Sequence, residues 1–118
     1  MDSLHGMLAW ALVVVATAAA ASSALTAGTG RLAVASGHLI SLTHVLVVGM
    51  GIAGLVLVAG GAGVSDPLHT RVYGPAMVLV LAAAWVYRLP DARRNFVLFA
   101  LACALVAGLG ARGLQTGM

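Results

Sequence analysis

LISLTHVLVVGMGIAGLVLVA, residues Leu39–Ala59, runs without a charged side chain, and its reading decides the fold. As a helix rising 1.5 Å per residue it would extend about 30 Å, the thickness of a bilayer's hydrocarbon core. Three other apolar stretches qualify or nearly do: Met7–Ala27, Val72–Leu89 and Phe96–Leu109. None shows the period-2 alternation of a membrane barrel, and Ala and Leu abound, so the segments read as helices. The expected fold is all-α: an integral membrane up-down four-helix bundle, one domain over residues 1–118, with spans at 7–27, 39–59, 72–89 and 96–109.

Composition supports that reading. The chain is 62% hydrophobic and 8% charged, with a mean hydropathy of +1.08. A soluble domain of this size could not hide so much apolar surface behind so few charges. The net charge of +3 is six arginines less three aspartates, and the arginines form no run, which argues against a nucleic-acid partner. A lone Cys103 in the fourth span offers neither a disulfide nor a zinc cluster and reads as a packing residue. The segment Met1–Gly6 carries Asp2 and no Arg or Lys, unlike a cleaved signal, so the first stretch reads as a true span.

The connections expected between spans are the Gly/Ser/Thr-rich Thr26–Gly37, Gly60–Asp66 with its Gly-Gly pair, and Arg88–Asn95 with Pro90. Arg31, Arg88, Arg93 and Arg94 fall on one side, Arg71 and Arg112 on the other. The positive-inside rule then places both termini outside, and the Ala-, Val- and Arg-rich, Lys-free composition points to a bacterial source, hence an inner (plasma) membrane. Ser65 or Asp66 can cap the third helix, with Pro67 in its first turn, and Pro75 inside it predicts a bend near Gly74. Small residues at spacing four, Gly49 with Ala53 and Ala100 with Ala104 and Gly108, predict close helix packing.

Four histidines carry whatever chemistry so apolar a chain can perform. His38 reads as a loop residue, and His44, a turn into the second helix, is an ionisable group at membrane depth. His5 opens the first helix and His69 the third, so an up-down bundle brings both to one layer. Two imidazoles at equal depth can bind one metal between them, as axial haem ligands do. Gly6 and Gly74 leave room beside such a ring, and Tyr73 lies one turn after His69. Arg71 and Arg112, on the same side, suit anionic propionates. At a helix end, however, a histidine can equally serve as a polar anchor.

The stretch from His44 through Gly49 and Gly54 to His69 and Trp85 resembles the haem A synthase family, in which a Gly-rich helix leads into one carrying a haem-ligating histidine. Leu4-His5-Gly6-Met7-Leu8-Ala9 is similar to that family's earlier ligand helix, and Gly110 to Gly117, with Arg112 and Thr116, to its closing Arg and Thr-Gly elements. The resemblance covers one four-helix half of an eight-helix enzyme. It implies haem binding by His5 and His69. Oxidation of the haem is not implied, because the chain contains no Glu and lacks the paired outer-loop cysteines of some members.

The resulting expectation is a small membrane protein holding one haem b, for electron transfer or haem holding, and not an enzyme on its own. The competing expectation is a cofactor-free accessory subunit of a larger respiratory-type membrane complex. A transporter or channel is a third, weaker reading, since His44 is the one ionisable group at membrane depth that could line a path. Partners would be the lipid bilayer and either another membrane protein or a second copy of the chain.

Overall fold

The computed structural model describes residues 2–61, 74–88 and 90–117. Those residues form four helices: α1 Asp2–Thr29, α2 Ala33–Ala59, α3 Gly74–Val86 and α4 Ala92–Gly117. The architecture is all-helical. Among the described residues three helices contain stretches long and apolar enough to cross a membrane, Leu4–Thr29, Ala33–Ala59 and Ala92–Gln115, while the described apolar part of α3, Pro75–Val86, is shorter.

α1 packs most extensively on α4 and next on α2; α3 rests on α4 and, more lightly, on α2. The four therefore stand in a ring in chain order, with α1 and α3 across a diagonal. Neighbours run antiparallel. Thr26, near the end of α1, meets Ser36 at the start of α2 with 3.0 Å between their hydroxyl oxygens, and His5 at the start of α1 meets Gly54 near the end of α2.

Two layers of side chains fill the interior, each drawn from all four helices. Leu12, Met50, Met77, Val106 and Leu114 belong to the layer nearer the chain termini. Ala19, Ile40, Ala84, Phe99 and Cys103 belong to the layer nearer the short connections. Thr43 is fully buried; its hydroxyl donates to the Leu39 carbonyl at 2.8 Å, one turn back in its own helix, and its side chain also hydrogen-bonds Cys103 of α4. Beyond the second layer, Ser23 is fully buried as well, and its Oγ has no hydrogen-bond partner among the described residues.

The first connection is shorter than its composition predicts. Thr26–Gly37 reads as a loop, yet α1 continues to Thr29 and α2 begins at Ala33. The hydroxyls explain this: Thr26 and Thr29 donate to the carbonyls of Ser22 at 2.8 Å and Leu25 at 2.7 Å, one turn back. Bonded within their own helix, they do not compete with it. What remains is a turn in which Gly30 and Leu32 adopt positive φ, 74° and 67°.

α4 starts at Ala92, earlier than Phe96, because Asp91 caps it. Its Oδ1 accepts from the backbone N–H of Arg93 at 2.9 Å and of Arg94 at 3.3 Å. Pro75 is the second described residue of α3. The expected Ser65, Asp66 and Pro67 start lies outside the described residues, as does the approach to the expected bend near Gly74.

The packed face of α4 also differs from expectation. Ala104 and Gly108 are exposed and Ala100 is half-buried, and a Cβ on Gly108 would meet no atom within 4 Å. The face turned inward carries Phe99, Ala102, Cys103, Val106 and Leu114. It also carries Gly110, where a Cβ would come 3.1 Å from Val13 Cγ2. Spacing four identifies a helical stripe without saying which stripe the neighbours take. On α2 the expectation divides: Ala53 is buried, whereas a Cβ on Gly49 would meet nothing within 4 Å.

Candidate functional site

Of the residues proposed from the sequence, those described, His5, Gly6, Gly74 and Arg112, lie at the end of the bundle where the chain begins. His5 is half-buried and lies against α2: a Cβ on Gly54 would be 3.2 Å from its Cε1 and 3.7 Å from its Nδ1. Glycine at 54 thus makes the seat into which the imidazole turns. Gly6 faces open space, with nothing within 4 Å of a Cβ built there. Gly74 is the first described residue of α3. Arg112 is exposed, its Nη1 donating to Gln115 Oε1 at 3.0 Å. His69, Arg71 and Tyr73 lie outside the described residues. The part of the set that is described is an imidazole seated on Gly54, open space at Gly6, and a cation near the end of α4.

At the opposite end a second constellation forms around His44. Because α2 begins at Ala33, His44 lies three turns into the helix. Its Nδ1 is 2.7 Å from the Ile40 carbonyl oxygen, and its Nε2 accepts the indole N–H of Trp85 at 2.6 Å. A carbonyl can only accept and an indole N–H can only donate, so the ring is neutral, with its proton on Nδ1. Both nitrogens are engaged. This arrangement leaves His44 no lone pair for a metal.

Trp85 is fixed from other sides too. Its ring meets Phe99 edge-on at 5.4 Å between centroids, and Phe99 also tilts against His44 at 6.4 Å. Arg88, one turn on, holds its guanidinium carbon 5.1 Å from the indole centroid, within cation–π range. A cavity of about 330 Å³ opens beside this cluster, lined by Ile40 and Ser41 of α2, by Trp85, and by Asn95, Phe96 and Phe99 of α4.

Sequence reasoning singled out His44 and missed its partner. The Trp85–Arg88 pair was legible as neighbours one turn apart; the His44–Trp85 bond, joining positions 41 apart in the chain, was not. His38, expected in a loop, is an exposed residue within α2. Among the described residues no three His, Cys, Asp or Glu side chains come together as a metal cluster.

No protein family, curated protein or solved structure matches the chain. Nothing in those comparisons links it to the haem A synthase family.

Proposed function

We propose that the chain is a small integral membrane protein, an up-down bundle crossing the bilayer four times, that holds one haem b between His5 and His69 for electron transfer or haem holding. The observation that carries the reading is His5, whose imidazole turns into the bundle over Gly54 instead of out toward solvent. His69 precedes α3, which stands diagonally across from α1 and begins at the same end. Gly6 and Gly74 would leave space for the ring, Tyr73 would lie beside it, and Arg71 and Arg112 would face its propionates. Bound there, the group would supply a one-electron couple.

The membrane part of the reading rests on the outward faces. Met7, Val14, Val45, Leu55, Leu79 and Leu101 are each more than 60% exposed, around helices with few charges. Lipid accepts such a surface, whereas on a soluble monomer so large an apolar belt would drive association. Arg31, Arg88, Arg93 and Arg94 all lie at the end of the short connections, which supports a cytoplasmic location for that end and both termini outside.

An absorption spectrum of the purified protein, oxidised and then reduced, tests the haem. The expected result is a Soret band with low-spin bis-imidazole features, converted to high spin or lost in His5→Ala and in His69→Ala and kept in His38→Ala. An unchanged low-spin spectrum in the double variant would sink the ligand assignment. Absence of any haem band would instead favour a cofactor-free accessory subunit of a larger membrane complex. That second reading has its own support, because the outward strip of Ala104 and Gly108 lets a partner helix approach closely.

A further inference from the structure

We propose that the cavity beside Trp85 is a binding site for one anionic phospholipid. The proposal rests on the membrane reading above and is independent of the haem. The cavity's volume, about 330 Å³, lies at the lower end of the ~300–1,000 Å³ usual for small-molecule sites, enough for a glycerol backbone and the first part of a chain. Its walls divide by polarity. Ile40, Phe96, Phe99 and the face of Trp85 supply apolar surface, and Ser41 and Asn95 supply hydrogen-bonding groups.

The Trp85 wall is built before any ligand arrives. The indole N–H is held by His44 Nε2, the ring is braced by Phe99, and the Arg88 guanidinium is stacked over it. Stacking holds that cation on the indole that forms one wall of the cavity, at little further cost in side-chain freedom. Arg93 and Arg94 are exposed on the first turn of α4, between the lining residues Ala92 and Asn95, and Arg31 lies in the α1–α2 turn at the same end. Against four guanidinium groups the described residues at this end set one carboxylate, Asp91, whose Oδ1 is occupied in capping α4. Charge therefore selects an anionic head group, and the aromatic walls select its acylglycerol part. A zwitterionic lipid would meet the same walls but bring its own cation to an already cationic rim.

Native mass spectrometry of the full chain in detergent, titrated with phosphatidylglycerol or phosphatidylcholine, tests the site. One phosphatidylglycerol per chain is expected at a concentration about tenfold below that needed for phosphatidylcholine, the discrimination of one charge-assisted contact. Arg88→Gln should erase the preference. Gly37→Leu, at a lining position where a Cβ meets nothing within 4 Å, should block both lipids while circular dichroism shows unchanged helix content. Equal retention of the two lipids by the native chain would overturn the proposal, as would undiminished phosphatidylglycerol binding in Gly37→Leu. Carbonate extraction reads the membrane reading separately: a chain that stays in the membrane pellet yet shows no lipid preference sinks the site alone.

Discussion

At the scale of single residues, His44 is held by two hydrogen bonds that leave nothing of its ring free. The Ile40 carbonyl takes the proton on Nδ1, and Trp85 donates to Nε2. An imidazole three turns inside an apolar helix would be expensive without both bonds. Trp85→Phe keeps the aromatic packing on Phe99 but removes the N–H, so it should cost about 0.5–1.5 kcal/mol, the net worth of one hydrogen bond at a partly exposed site. Thermal unfolding followed by circular dichroism in detergent reads this, and a melting temperature equal to the native chain's would show the bond to be dispensable. The sequence marked His44 as costly, but nothing local could supply the partner, since the bond needs α2 and α3 to cross at one particular register. His5 shows the reverse case. Its Gly-rich counterpart helix was legible, but its contact with Gly54 was not.

At the scale of elements, α4 shows how composition and contact part company. Ala100, Ala104 and Gly108 form a stripe of small residues, and so, about one position round the helix, do Ala102, Cys103, Val106 and Gly110. Only the second stripe is turned inward. Ala102→Leu should therefore overpack the layer containing Ala19, Ile40 and Phe99 and destabilise by roughly 1–3 kcal/mol. Ala104→Leu should leave monomer stability nearly unchanged. Folded yields and melting temperatures of the two variants in detergent check this; loss at Ala104 with tolerance at Ala102 would reverse the assignment. Helix ends were misjudged for a related reason. The Gly/Ser/Thr-rich stretch and the stretch with Pro90 read as connections, but Thr26 and Thr29 bond back into α1, and Asp91 begins α4 where a loop was expected.

At the scale of the whole molecule, the bundle places its short connections and four arginines at one end and both chain termini at the other. With that arginine-rich end in the cytoplasm, Ala92→Cys should resist a membrane-impermeant maleimide added to intact cells and react once the cells are opened. Native Cys103 is fully buried, so it should contribute little background. Labelling of the intact cells from outside would invert the proposed topology. The arginine distribution on which this rests was read from the chain alone, and the ring of antiparallel neighbours keeps the four cations together.

By itself the sequence determined that the chain is helical and that its helices are apolar on nearly every face, because period, length and the scarcity of charge are properties of consecutive residues. It also marked the inter-helix connections coarsely through Gly, Pro and Arg. Only the tertiary structure decided which face of each helix turns inward. A helix that is apolar all round carries no amphipathic signal to orient it, so van der Waals fit between particular side chains settles the matter. The same fit brought Trp85 to His44 and Arg88 over Trp85, making a cavity from residues on three helices that no local pattern in the chain connects.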